Sequence, residues 1–226
     1  MIKLLDTHQH LVYRDVASYS WAKDIPPLAT DNFTVDDYLK LTEGLGVAGT
    51  IFMETGVDDP DYQNEAKYVE KLRQNPNNGI KGLIVSIRPE DDSFDSWFEE
   101  TIGMNVSGYR RILHVMPDDT SQTETFRNNV KKIGKAIGSM ALSKDQKIIC
   151  VGYDGRLSSP SLANELIEGM TSTGINVINI GLCTTPMLYF SNFHLSTKTG
   201  VMITGSHNPP ESVSYTHLTL PTNREV

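Results

Sequence analysis

The chain has 226 residues, 38% of them hydrophobic and 8% aromatic, enough for one large or two small globular domains. A net charge of −8 with no Lys/Arg cluster excludes a nucleic-acid-binding footprint. The opening MIKLLDTHQH has no apolar run of signal-peptide or membrane-span length, so a cytoplasmic location with no membrane partner is expected.

Strands and helices are predicted to alternate. Residues 2–5 form a short apolar run ending at Asp6. Apolar spacing predicts a helix over 35–45, closed by Gly46, and a β-rich run over 47–53. A helix over 62–74 follows, with Tyr62, Ala66, Val69 and Leu72 on one face. Next come a strand over 82–87, a helix over 94–102, a strand over 109–115 and a helix over 123–135. These four βα units argue for parallel strands with right-handed crossovers. The pattern then restarts: helix 133–142, strand 147–153, helix 162–171, strand 176–182, helix 186–193 opened by Pro186, and strand 200–204. Three strands with two intervening helices predict a small open α/β sheet. Cys150 and Cys183 lie in apolar runs and read as small core residues rather than a disulfide framework. Residues 212–226 lack helical periodicity; alternation over 215–220 is all that suggests an edge strand.

The first strand closes on Asp6-Thr7-His8-Gln9-His10. Side chains two apart in extended chain share a face, so His8 and His10 offer two imidazoles to one divalent metal, which could activate water. With Leu5–Leu11, Trp21, Phe52-Met53-Glu54-Thr55 and Gly108-Tyr109-Arg110-Arg111-Ile112-Leu113, residues 1–135 resemble the lactonase-like branch of the metal-dependent amidohydrolases. The resemblance implies a (β/α)₈ barrel, here truncated to a half-barrel of four strands. It makes His8 and His10 ligands of a metal such as Zn²⁺, and Glu54 a third ligand or substrate contact. Arg111 would face a sugar-lactone substrate. For Glu54 a solvated strand end is the alternative.

The second distinctive segment is Gly200–Pro210. A strand delivers Ser206 to its carboxyl end, where open α/β sheets place their ligands. Gly205 permits a tight turn, His207 and Asn208 add polar groups, and Pro209-Pro210 stiffens the exit. A serine so placed suits phosphoryl transfer to and from a sugar hydroxyl. Together with Ile133-Gly134-Lys135-Ala136, Val151–Ser159 and Gly181–Pro186, it makes residues 133–211 resemble domain I of the alpha-D-phosphohexomutases, the phosphomannomutase and phosphoglucomutase family. The resemblance implies a partial α/β/α domain acting on sugar phosphates. Ser206 would be the phosphoserine with one phosphate oxygen on Mg²⁺, His207 and Asn208 would line the site, and Arg156 would lie on the active-site side. For Arg156 a structural ion pair is the alternative.

Both resemblances are partial. The mutase's Arg-rich opening, its lysine-bearing segment after Pro-Pro-Glu and its Asp-rich metal loop have no counterpart in these residues, nor do the barrel's later ligands. Ile133-Gly134-Lys135 fits both patterns, and SVSYTHLTLPTNREV resembles translated adapter sequence. The expected organisation is therefore chimeric: 1–135 barrel-like, 136–211 mutase-like and 212–226 non-native. The expected function is a phosphohexomutase fragment, with a metal-dependent hydrolase fragment or a non-catalytic chimera as alternatives. Turnover by this chain is not expected.

Overall fold

The computed structural model describes residues 3–113, 116–117 and 119–204, and the backbone of 214–216. The chain forms two compact units, residues up to 87 with 95–110, and residues 88–94 with those from 111 onward.

The first unit begins with β1 (Leu4–Gln9), the single turn α1 (Pro26–Ala29) and α2 (Val35–Leu41). Thr34 caps α2 reciprocally: its Oγ1 accepts from Asp37 N at 3.2 Å, and Asp37 Oδ2 accepts from Thr34 N at 3.0 Å. The helix stops at Leu41, short of the expected 45, and Gly44 and Gly46 beyond it adopt φ of 77° and 81°. Then come β2 (Val47–Met53), α3 (Tyr62–Arg73), β3 (Ile80–Ser86), α4 (Phe94–Gly103) and β4 (Gly108–Ile112). β1 to β4 lie in chain order, each parallel to the next. This is the arrangement expected of half a barrel, with crossover helices supplying the connections that parallel pairing demands. Phe52, Leu83, Ile87 and Trp97 are fully buried, and Trp97 Nε1 donates to Ser86 O at 3.0 Å.

The second unit contains α5 (Glu124–Ser143), β5 (Ile148–Tyr153), α6 (Ser159–Thr171), β6 (Asn176–Leu182), α7 (Thr185–His194), β7 (Gly200–Ile203) and the short β8 (Ser214–Thr216). The three strands expected here form a parallel sheet in the order β6-β5-β7. Leu188 of α7 packs against Cys150 and Met202. Alternation leaves Ile149, Val151, Val201 and Ile203, all fully buried, for the opposite face. The mixed α/β class is as anticipated. The two helices expected over 123–135 and 133–142 are one continuous helix, α5. Its glycines do not break it because they are contact points: a Cβ on Gly134 would lie 2.2 Å from Leu166 O, and one on Gly169 of α6 would lie 2.0 Å from Lys131 O. Among the described residues no helix is long and apolar enough to cross a membrane.

Candidate functional sites

His8 and His10 flank Gln9, which is buried and whose Oε1 accepts from Thr50 Oγ1 at 2.9 Å. The two imidazoles therefore fall on the other side of the strand, with Nε2 atoms 3.0 Å apart and rings edge to face. His10 Nδ1 lies 3.0 Å from Met53 O, where only a protonated Nδ1 makes a hydrogen bond. That fixes the tautomer of a neutral His10, so its Nε2 lone pair accepts from His8 Nε2–H, and a metal would have to displace that proton. Burial chiefly, then His8 and Arg110, pushes the His10 pKa down to about 4. Burial and Arg110 also lower that of His8, against the opposing charges of Asp6 and Glu54. Near neutral pH both rings are uncharged.

Glu54 is 1% exposed, which removes the solvated-end alternative. Its Oε2 accepts from Gly56 N at 2.9 Å, and its Oε1 lies 3.1 Å from Arg110 Nη1, an ion pair without hydrogen-bond alignment. The same Nη1 donates to Glu54 O at 3.3 Å. Arg110 is thus the guanidinium that bears on the histidine pair, and the sequence reading passed over it for its neighbour. Arg111 is buried and paired with Glu90, with Arg111 Nε and Glu90 Oε2 left without hydrogen-bond partners. Adjacent arginines on a strand point to opposite faces, and only register distinguishes them.

Two imidazoles fit a zinc half-site: with Zn–N near 2.0–2.1 Å, tetrahedral ligands lie about 3.3 Å apart. Glu54, committed to Gly56 and Arg110, does not complete it. Among the described residues no three His, Cys, Asp or Glu side chains converge on a metal position.

In the second unit the carboxyl ends of β5 and β7 lie side by side, with Asp154 N donating to Ile203 O at 2.9 Å. Asp154 organises the turn. Its Oδ2 accepts from Arg156 Nε at 2.9 Å, and its Oδ1 accepts from Ser159 Oγ at 2.6 Å and Arg156 N at 3.2 Å. Arg156, 7% exposed, makes the structural ion pair weighed against a site role. Asp154 and Ser159 were not singled out beforehand, although an Asp two residues before an Arg in a strand-to-helix turn is a signal for this pairing. Burial raises both thiols, Cys150 to about 11, in keeping with core residues. Ser206, His207 and Asn208 lie outside the described residues.

Residues 118–218 match the family model for phosphoglucomutase/phosphomannomutase, alpha/beta/alpha domain I. The chain is 48% identical over 79 residues to a phosphomannomutase/phosphoglucomutase of Pseudomonas aeruginosa, and 52% identical over 79 residues to a phosphoglucomutase of Neisseria meningitidis serogroup B. Each alignment covers 35% of this chain and 17% of the relative, so the chain spans less than a fifth of these relatives' length. The resemblance to phosphohexomutase domain I is thereby borne out. Among solved structures, a phosphoglucomutase/phosphomannomutase family protein from Burkholderia thailandensis aligns at 26% identity and a TM-score of 0.35, covering 47% of this chain and 23% of that one. An amidohydrolase from Burkholderia multivorans with bound zinc aligns at 13% identity and a TM-score of 0.49, covering 92% of this chain and 85% of its own.

Proposed function

We propose that the second unit carries the phosphate-bearing serine of a phosphohexomutase first domain, with Ser206 exchanging a phosphoryl group with hexose phosphates. The observation that carries this reading is the domain I match over residues 118–218, which spans the whole Thr204–Pro209 loop. Support comes from the placement of Thr204 directly after β7, beside the Asp154–Arg156–Ser159 turn at the end of β5. In such a transfer the serine oxygen forms a bond to phosphorus as the sugar oxygen leaves, and its proton passes to a neighbouring base; His207 is the nearest such group in sequence. Mg²⁺ would neutralise phosphate charge when bound. The described residues do not fit a magnesium cage, since Asp154 is taken up by Arg156 and Ser159. Turnover by these 226 residues alone is not expected. The test uses a full-length phosphohexomutase whose corresponding first-domain segment is replaced by residues 133–211, incubated with glucose 1,6-bisphosphate and Mg²⁺ and then analysed by peptide mass spectrometry. Phosphate on Ser206, absent in Ser206→Ala, is expected; an unmodified Ser206 in folded protein sinks the reading.

A second reading rests on the 3.0 Å approach of the two Nε2 atoms and the Met53 carbonyl that orients His10. The first unit would bind a divalent metal such as Zn²⁺ through His8 and His10, as part of a hydrolytic site for lactones. Calorimetric Zn²⁺ titration should show one site that His8→Ala removes; equal binding by the variant would end this reading.

A further inference from the structure

Asn-Gly occurs once in the chain, at Asn78-Gly79. It is the dipeptide most open to deamidation, because glycine has no Cβ to keep its backbone nitrogen from the asparagine side chain. Here it lies in the turn that joins α3 to β3. The turn is a single 3₁₀ helix over Pro76–Asn78, and Gly79 ends it in the left-handed region with φ of 70°. Three hydrogen bonds close it. Asn75 Oδ1 accepts from Asn77 N at 3.1 Å, Asn78 N donates to Asn75 O at 3.1 Å, and Gly79 N donates to Pro76 O at 3.2 Å. Asn78 is 9% exposed, and its Nδ2 donates to Leu72 O at 2.8 Å, which caps the last turn of α3. Gly79 O accepts from Thr50 N at 3.0 Å, tying the turn to β2.

We propose that Asn78-Gly79 is a deamidation site that the α3–β3 turn holds shut, reacting only when the turn opens and keeping it from closing afterwards. In the reaction Gly79 N loses its proton and attacks Asn78 Cγ. The N–Cγ bond forms, the Cγ–Nδ2 bond breaks, and the departing nitrogen takes up that proton and leaves as ammonia. Water then opens the cyclic imide to aspartate or isoaspartate. The closed turn opposes each part of this. Helical backbone at Asn78 turns Gly79 N away from the Asn78 side chain. The Pro76 carbonyl holds the proton to be lost, and the Leu72 carbonyl holds the departing nitrogen. Opening the turn releases all three together. The product no longer fits. A carboxylate only accepts hydrogen bonds, so it would meet the Leu72 carbonyl with no proton between them. It also sets a negative charge at the C-terminus of α3, where the helix dipole opposes it.

Ageing the full chain at mildly alkaline pH, with peptide mass spectrometry of the segment containing Asn78, tests this. Conversion at Asn78 is expected in urea and slower by about tenfold or more in native buffer, the ratio being set by the opening equilibrium of the turn. Asn75→Ala removes the acceptor of Asn77 N, so it should speed conversion in native buffer and leave the rate in urea unchanged. Asn78→Asp makes the product directly and should lower the urea-unfolding midpoint by more than Asn77→Asp at the exposed neighbouring position. Equal rates in native buffer and urea, no conversion in either, a native rate unmoved by Asn75→Ala, or equal midpoints for the two aspartate variants would each overturn the proposal.

Discussion

Arg110 Nη1 sits 3.1 Å from Glu54 Oε1 and 3.3 Å from the Glu54 carbonyl oxygen, so one guanidinium nitrogen ties the end of β2 to β4. Glu54 is almost wholly buried, and Arg110 is a quarter exposed. Removing the arginine leaves a buried carboxylate without its counter-charge. Buried pairs cost about 3–5 kcal/mol when broken from one side, and partial exposure of Arg110 reduces that to about 2 kcal/mol. Arg110→Met should lower urea-unfolding stability by that amount, and Glu54→Gln in the same background should restore part of it. If Arg110→Met is neutral, the contact is not a working ion pair.

The histidine pair gives a pH dependence of known sign. The folded-state pKa of His10 is depressed to about 4 from an ordinary 6.5, so the unfolded chain binds this proton more readily. Its contribution to stability is full above about pH 6.5 and declines as pH falls toward 4. At about 1.4 kcal/mol per pH unit, the loss approaches about 3 kcal/mol. Melting temperatures of the chain and of His10→Gln, compared across that window, should converge as pH falls. A constant difference would place His10 in a solvated, unperturbed setting.

Legibility in the sequence followed physical range. Strand alternation correctly put His8 and His10 on one face, because period two is a property of the local backbone. The choice between Arg110 and Arg111 depends on which face of β4 meets Glu54, a fact of register that no local pattern encodes. The helix boundary at 133–135 failed for a related reason. Residues 123–135 and 133–142 fit helices of two different resemblances, and only the backbone of α6 pressed against Gly134 and Gly138 shows a single helix passing through. Arg156 was legible as one of two alternatives, and the structure shows its ion pair with the partner two residues away.

That glycine contact makes its own prediction. A Cβ on Gly169 would lie 2.0 Å from Lys131 O, a backbone atom that cannot swing aside, so Gly169→Ala must push α5 and α6 apart. Overpacking of this kind costs about 1–3 kcal/mol, more than the helix-propensity gain of about 1 kcal/mol. Gly103 at the end of α4 has nothing within 4 Å of its added Cβ, so Gly103→Ala should be neutral or slightly stabilising. Equal effects of the two substitutions on unfolding midpoints would show that the helices are not in close contact.

Arg156 separates a structural role from a chemical one. Its Nε and backbone N both donate to the Asp154 carboxylate, which also accepts from Ser159 at the first turn of α6. Arg156→Gln removes the charge opposite a half-buried carboxylate and loosens the strand-to-helix turn. A stability loss of about 2–3 kcal/mol is expected, smaller than for a fully buried pair because Asp154 keeps solvent contact. If Arg156 only shapes the turn, phosphate loading of Ser206, compared at equal folded fraction, should fall by less than about tenfold, equivalent to 1.4 kcal/mol. If the guanidinium also contacts the transferring phosphate, loading should fall well beyond that, and Arg156→Lys should rescue the charge without restoring the two-point hold on Asp154. Measuring stability and loading on both variants assigns the residue, because a purely structural role moves the two together and a phosphate contact moves them apart.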